Sequence, residues 1–232
     1  MSDMRVESRE ALPGALMVLT VVSGFLDAVS FLGLGRVFTA NMTGNVVVVG
    51  FAAAGAPGFS AAASLTSLAG FLAGAVLAGR FAVAMNSRPA HRWFGGALAA
   101  EAVLTALAAV TTAFTAGAGA RYPVIAVLAV AMGIRNASVR RTGVPDLTTT
   151  VLTMTLTGWA ADSQLAGGTG PRSRRRLGAA AAMAFGAFLG AWFQQHRGVV
   201  WSLSLCGAFV AVVAVVYFLH AEFSLRRGHF AR

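Results

Sequence analysis

Charge and cysteine are both scarce in this chain of 232 residues. Only 11% of the residues are charged, while 57% belong to the hydrophobic set and the mean hydropathy is +0.72. An average soluble domain carries about 25% charged residues, so this chain has too few to cover a soluble globule. The single cysteine, Cys206, excludes a disulfide scaffold, and the apolar content excludes a disordered chain. The composition predicts an integral membrane protein.

Lysine is absent, so that all 18 basic residues are arginine. The net charge is +10. The arginines lie singly or in short clusters between apolar runs, which is typical of membrane topology rather than of a nucleic-acid surface. A Walker-type phosphate loop is also absent. The four histidines lie at or near the ends of apolar runs, with no second cysteine to complete a zinc site. We therefore expect no enzyme activity, no cofactor, no metal and no nucleic-acid partner.

Six apolar runs are long enough to cross about 30 Å of hydrocarbon, which takes about 20 helical residues. They are Leu12 to Leu34, Ser60 to Met85, Trp93 to Ala116, Tyr122 to about Asn136, Leu177 to Phe193 and Val199 to Leu219. Two further segments, Thr39 to Ala56 and Leu147 to Ala161, are short and rich in polar residues. We predict an all-α membrane bundle that forms one domain over residues 1–232.

The arginine positions indicate which segments cross. If all eight segments cross, the arginines divide ten to seven between the two sides. If the two short segments do not cross, fourteen arginines lie on the side of the N-terminus and three (Arg36, Arg121 and Arg197) on the other, with Arg135 omitted as a helix-end residue. Arginine accumulates on the cytoplasmic side. This favours six full spans, two broken segments and cytoplasmic termini.

The order long, short, long, long occurs twice, in halves of about 12–117 and 121–220. Gly24 and Asp27 correspond to Gly133 and Asn136, and Thr39 corresponds to Thr148, each 109 residues later. With six crossings the two halves run in opposite directions. Such inverted repeats are the plan of many channels and secondary transporters, whose sites form at broken helices near the midplane.

Two strings carry a resemblance to a known family, GFLDAVSFLGLGRVFTANMTGNVVVVG and GIRNASVRRTGVPDLTTTVLTMTLTGWAAD. With their Gly24 and Asp27, the Met-Thr-Gly-Asn turn at 42–45 and the threonine-rich segment ending near Asp162, they resemble the YoaK-like family of bacterial transmembrane proteins. That family is a domain of unknown function, and the resemblance covers nearly the whole chain. It implies a multi-pass protein of the bacterial inner membrane. It supplies no substrate and no functional residue.

Asp27 is the principal candidate site residue. Thr20, Ser23, Asp27 and Ser30 share one face of the first span. An aspartate at the centre of a membrane helix costs about 2.5–3.5 kcal/mol, so its side chain is expected to face the bundle interior. Asp27 is then either a proton- or cation-coupling site or a structural clasp bonded to Arg135 or Asn136.

The turn around Gly44 is a second candidate, since it carries four side chains able to form hydrogen bonds. These are Thr39, Asn41, Thr43 and Asn45. Freed backbone groups in hydrocarbon need partners, and such side chains also suit a neutral polar solute or a small cation. The alternative is a simple helix start, with Asn41 or Thr43 as the N-cap.

The second short segment places Thr149, Thr153 and Thr157 on one helical face. Their hydroxyls, with Asn136, are candidates to contact a solute, although threonine often bonds back to its own helix. Asp162 is expected to be an interfacial acid near the arginines at 172–176, which could hold anionic lipid head groups. Glu101, in the third span, is a candidate second buried acid.

Two Gly-x-x-x-Gly patterns, Gly70 with Gly74 and Gly186 with Gly190, allow helices to approach closely. Packing within the bundle is their expected use, and a seam between two copies in a homo-oligomer is the alternative.

These features favour a permease for a small polar solute or ion, gated around the short segments and coupled through Asp27. The alternative is a non-transporting membrane scaffold or accessory protein. A transporter predicts a polar-lined cavity that reaches the middle of the membrane. A scaffold predicts that Asp27 and the turn at 43–45 are sealed and bonded to each other.

Overall fold

The computed structural model describes the backbone of residues 3–85, 90–115, 118–142, 152–168 and 173–230. Every regular element within these ranges is helical. The helices are α1 Asp3–Gly33, α2 Met42–Ala53, α3 Ala61–Ala84, α4 Ala90–Phe114, α5 Arg121–Thr142, α6 Leu152–Ala161 and α7 Ser173–Phe230, with 3₁₀ turns at Ala118–Ala120 and Gln164–Ala166. The predicted all-helical membrane bundle is confirmed.

Five of these helices are long and apolar enough to cross a membrane, and the last contains a break. Its apolar stretch of 46 residues, Arg175–His220, would measure about 70 Å as one rod, more than twice the hydrocarbon thickness. Gly198 (φ 79°, ψ 177°) interrupts it with a backbone conformation that side-chain-bearing residues rarely adopt. We call 173–197 the first arm and 199–230 the second arm of α7. The described helices therefore supply six rods of crossing length, as the sequence predicts.

The fourth rod, α5, differs from its prediction. It was expected to end near Asn136 but continues to Thr142. The prediction treated Arg135 as a charge at the end of the span. Its side chain is instead fully buried and paired inside the bundle. Arg140 and Arg141 instead occupy the last turn, where cations interact favourably with the helix dipole.

The two short helices are about half the hydrocarbon thickness. α2 has 12 residues and α6 has 10, which correspond to about 18 Å and 15 Å. Asn41 is the N-cap of α2, since its side chain accepts a hydrogen bond from the Gly44 amide at 3.3 Å. α2 is too short to cross, while the residues before α6, 143–151, lie outside the described ranges.

The rods alternate in direction, which defines two ends of the bundle. The upper end is the one where α1 ends at Gly33. There Gly33 lies against Gln194 and Val199, and Gly35 lies against Arg121. At the lower end, the guanidinium of Arg141 lies 6.0 Å from the Trp93 ring.

Glycine contacts join α1 to the first arm of α7. A Cβ on Gly24 would collide with the backbone carbonyl of Met183, and a Cβ on Gly186 would collide with the carbonyl of Val21. The two helices run in the same direction and touch backbone to backbone.

Similar contacts join α3 to α5. A Cβ on Gly133 would collide with the Phe71 carbonyl, and a Cβ on Gly74 with the Val130 carbonyl. The Gly-x-x-x-Gly patterns thus pack within the bundle, as predicted. α4 packs against α5 and the second arm, with the Phe94 and Tyr217 rings 5.1 Å apart.

Candidate functional site

The polar face of α1 is buried along its length. Thr20, Ser23, Asp27 and Ser30 are all between 0% and 5% exposed. The hydroxyls of Thr20 and Ser23 each donate to a carbonyl one turn earlier, at 2.9 and 3.1 Å. α1 therefore presents its polar residues to the interior, as the sequence predicts.

Asp27 holds the chain segment that leads into α2. Its Oδ1 accepts hydrogen bonds from the backbone amides of Thr39 (3.0 Å), Ala40 (2.7 Å) and Asn41 (3.4 Å). A carboxylate that accepts backbone N–H groups forms charge-assisted bonds, which are about twice as strong as neutral ones. The α2 N-terminus is thereby fixed beside α1, about two helical turns below the upper end.

The described hydrogen bonds of Asp27 go to backbone amides, whereas Arg135, one of its two predicted partners, donates to Glu101, Leu19 and Ser23. The segment after α1 turns back onto the helix because Gly35 (φ 97°) and Arg36 (φ 58°) both adopt left-handed backbone conformations. This brings the amides of residues 39–41 to the carboxylate.

Asn45 satisfies the backbone of the same segment from the other side. Its side-chain oxygen accepts from the Phe38 amide at 2.9 Å, and its side-chain nitrogen donates to the Phe38 carbonyl at 2.7 Å. The Ser67 hydroxyl of α3 donates to that carbonyl as well, at 2.6 Å. Side chains therefore replace the backbone partners that the non-helical segment lacks, as burial in hydrocarbon requires.

The structure brings three of the four predicted turn residues together. Thr39 is fully buried, with its hydroxyl 3.5 Å from that of Ser30, Asn45 is fully buried, and Asn41 caps α2. Thr43 is exposed on the outer side of α2. Capping explains Asn41, while Thr39 and Asn45 belong to the bonded network around Asp27 and Phe38.

A buried ion pair lies next to this network. Arg135 of α5 donates from Nε to Oε2 of Glu101 at 2.7 Å and from Nη2 to Oε1, and both side chains are 0% exposed. Its Nη1 donates to the Leu19 carbonyl at 3.0 Å and to the Ser23 hydroxyl at 2.7 Å. The pair therefore joins α4, α5 and α1 one helical turn from Asp27.

Sequence reasoning did not find this pair, because it assigned Arg135 to a helix end and left the depth of Glu101 open. A signal was available: each residue is an isolated charge inside a long apolar run of the sequence. Isolated charges in membrane helices pair with one another.

Several buried side-chain atoms have no hydrogen-bond partner within the described part of the chain. Those that belong to aspartate, serine or threonine are Oδ2 of Asp27, the Ser64 hydroxyl and the Thr105 hydroxyl. Thr105 lies one helical turn after Glu101. The polar interior is therefore well bonded but not saturated.

The second short helix is described only from Leu152. Thr149 lies outside the described residues, and Thr153 and Thr157 are exposed, whereas Thr155 is 5% exposed. Asn136 is half-buried and donates to the Met132 carbonyl at 2.9 Å.

Asp162 lies beside one of the arginines at 172–176, as expected. It is exposed and pairs with Arg176, whose Nη1 lies 2.6 Å from its Oδ2. The same Nη1 donates to the Gly158 carbonyl at 2.5 Å. Arg176 therefore ties the end of α6 to the first arm of α7.

Two cavities in the described part of the bundle are apolar and open at its surface. One, of about 540 Å³, lies between α4 and the second arm, and the other, of about 300 Å³, lies between α3, α4 and α5. Neither is lined by Asp27 or by residues 38–45. Asp27 and Asn45 are buried and bonded, as the scaffold hypothesis predicts, but Asp27 bonds to residues 39–41 rather than to the turn at 43–45, and Thr43 is exposed.

Six apolar rods around a buried polar centre define a multi-pass helical membrane protein. The chain belongs to the family described as Protein of unknown function (DUF1275), whose model matches residues 15–216, and the predicted resemblance is confirmed. The chain is 32% identical over 141 residues to the UPF0700 transmembrane protein YoaK of Bacillus subtilis (strain 168), covering 61% of this chain and 62% of that relative. The match thus spans less than two thirds of the relative. No solved structure matches.

Proposed function

We propose that this protein is a permease for a small polar solute or ion in the bacterial inner membrane, with both termini in the cytoplasm. The observation that carries the proposal is a half-length helix, α2, held at its N-terminus by Asp27, one turn from the buried pair of Arg135 and Glu101. Broken helices beside buried charges are where secondary transporters bind their substrates. The conformation described here is closed.

The cost of the buried charges supports a role beyond folding. Charged residues at a membrane helix centre cost about 2.5–3.5 kcal/mol each on insertion scales. Apolar residues of similar volume are often as stabilising as a buried ion pair, or more so. A protein that needed only a packed bundle would gain little from three buried charges on α1, α4 and α5.

The glycine contacts support an internal inverted repeat. The contacts of α1 with the first arm and those of α5 with α3 match under two constant offsets. The offset is 109 residues for Gly24 to Gly133 and for Val21 to Val130, and 112 residues for Phe71 to Met183 and for Gly74 to Gly186. Each half therefore contributes its first span to a pair completed by the other half. These two pairs are the bodies that would rock against each other in alternating access.

Asp27 lies on α1, which belongs to one of these two pairs. Its Oδ2, with the hydroxyls of Ser64 and Thr105, offers hydrogen-bonding capacity that the closed bundle leaves unused. Opening would present these atoms to a polar solute, and Asp27 could then bind and release a proton or a cation as the carrier changes conformation.

The scaffold hypothesis is the second candidate, favoured by the sealing of Asp27 and by the apolar lining of the two cavities. In that case the polar centre specifies which helices pack together, and the protein moves no solute.

Uptake by reconstituted vesicles separates the two candidates. Solute classes are screened at two pH values, with and without sodium, using the wild type, Asp27→Asn and the control Asp162→Asn, an exposed acid at the bundle surface. A permease predicts uptake that Asp27→Asn abolishes or makes independent of pH, while Asp162→Asn behaves as wild type. Absence of uptake for every class favours the scaffold. Uptake by Asp27→Asn with an unchanged pH dependence shows that Asp27 carries no proton.

A further inference from the structure

The connecting segments at the upper end of the bundle contain three arginines and no acid. Residues 34–60, 118–121 and 194–199 lie there and contain Arg36, Arg121 and Arg197, but no aspartate or glutamate. The acid nearest to them on α1, Asp27, already bonds to three backbone amides. The positive charge at this end therefore has no carboxylate partner of its own.

Two of these arginines are held in place by specific packing. The Arg121 guanidinium lies against Gly35, so that a Cβ there would be 2.7 Å from Nη1, and it lies 5.3 Å from the Tyr122 ring. The Arg36 guanidinium lies against Gly58, with a Cβ there 2.8 Å from Nη1, and 5.3 Å from the Phe59 ring. Gly35 and Gly58 both have positive φ. Neither carries a side chain that would occupy the space of the guanidinium groups.

The two guanidinium groups belong to one cluster. The Arg121 guanidinium lies against Gly35, which directly precedes Arg36 in the chain. The segment at 35–36 therefore connects the two arginines.

The cluster retains capacity to donate hydrogen bonds. Nε of Arg121 is buried and has no hydrogen-bond partner in the described ranges. Arg36 is exposed. A guanidinium offers five N–H donors and no acceptor, in a geometry that matches carboxylate and phosphate oxygens.

We propose that Arg121 and Arg36 form a binding site for a small oxyanion or a phosphate group at the upper end of the bundle. This site is separate from the polar centre and stands whether or not the protein transports a solute. Inorganic phosphate and the phosphate of a lipid head group share the chemistry that the site recognises. If the protein is a permease, the site favours the entry of anionic solutes.

The test uses the full chain purified in dodecyl maltoside, a detergent without charge or phosphate, and titrated calorimetrically with inorganic phosphate. We expect saturable binding by the wild type. Arg121→Gln and Arg36→Gln should each weaken it about tenfold or more, because each removes charge-assisted hydrogen bonds. The matched control is Arg80→Gln, which removes an equally exposed charge near the lower end of α3 and should bind as wild type. Arg36→Gln alters an exposed side chain, so the test remains valid if Arg121→Gln does not fold.

Adding phosphatidylglycerol distinguishes the two sources of the ligand. Competition with phosphate in the wild type, but not in Arg36→Gln, assigns the site to a lipid head group, while undiminished phosphate binding assigns it to a free anion. Both results support the site. Absence of saturable phosphate binding by the wild type, or equal weakening by Arg80→Gln, would overturn it. None of these results depends on uptake, so the permease proposal stands or fails separately.

Discussion

Buried charge is the main feature of this protein at the scale of single residues. Two carboxylates and one guanidinium lie inside an apolar bundle, and they form hydrogen bonds in two different arrangements. Asp27 bonds to the backbone of a loop, while Glu101 and Arg135 bond to each other. The two arrangements meet on one face of α1, since Ser23 contacts Arg135 and Asp27 lies one turn further on.

Removing one partner of the ion pair should destabilise the protein strongly. We expect Glu101→Gln to lower the free energy of unfolding by about 3–5 kcal/mol, because it leaves the Arg135 charge buried without a counter-ion. The double variant Glu101→Leu with Arg135→Met should recover most of the loss. Unfolding in mixed micelles measures both. Asp162→Asn, which removes an exposed pair, is the control and should cost about 0–1 kcal/mol. A double variant no more stable than the single one would contradict this account.

The clasp at Asp27 makes a second prediction. In Asp27→Asn the side-chain oxygen still accepts hydrogen bonds, but the charge that strengthens them is lost. The amides of residues 39–41 should therefore exchange with deuterium roughly tenfold faster, as expected for a loss of about 1.4 kcal/mol in local stability. Exchange measured by mass spectrometry on the peptide containing these residues tests this. Unchanged exchange would show that the turn holds its position without Asp27.

At this scale the sequence predicts which residues turn inward but not what they bond to. The polar face of α1 follows from helical periodicity alone. The partner of Asp27 depends on the left-handed conformation of Arg36, which is uncommon for a residue with a side chain and has no signature in the sequence. The pairing of Glu101 with Arg135 depends on the packing of α4 against α5, which local sequence does not determine.

Among elements, glycine determines which helices pair. Gly24 and Gly133 each lie against a carbonyl of a helix from the other half of the chain, at positions where a methyl group does not fit. The sequence predicts both close packing and the 109-residue offset. It does not predict that the halves exchange partners, because identical glycine patterns would also serve pairing within each half.

Alanine substitutions test these contacts with a matched control. Gly24→Ala and Gly133→Ala should each destabilise the protein by about 1–3 kcal/mol, since the added methyl group meets backbone that cannot move aside easily. In Gly79→Ala the methyl group would contact nothing within 4 Å, so this change should be neutral or should stabilise α3 by about 0.5–1 kcal/mol. Thermal unfolding in detergent compares the three. A large loss for one of Gly24 and Gly133 but not the other would count against the repeat.

For the whole molecule, the number of crossings decides the topology. With six crossings the connection after α2 lies at the upper end and the connection after α6 at the lower end, so they face opposite sides of the membrane. With eight crossings they face the same side. The arginine distribution favours six, and the length of α2 agrees, because 12 helical residues cannot span the hydrocarbon.

Cysteine labelling in intact cells tests this topology. Single cysteines at Ala54 and Ala166, both exposed, are introduced into a Cys206→Ala background, in which the native buried thiol is absent. An impermeant thiol reagent should label Ala54→Cys from outside, and Ala166→Cys only after the membrane is permeabilised. With the N-terminus in the cytoplasm, eight crossings would place both positions inside, so the failure of both to react before permeabilisation would establish eight crossings.

The exchange of partners between the halves also constrains how the protein is made. The backbone surface that packs against Gly24 belongs to Met183, which the ribosome adds 159 residues after that glycine. Through most of synthesis α1 therefore lies in the membrane without the first arm of α7. During that time the amides of residues 39–41 are the hydrogen-bond partners of the Asp27 carboxylate. In a chain that stops before α7, the surface of α1 around Gly24 would stay uncovered. That surface would be accessible to the proteases that degrade incomplete membrane proteins.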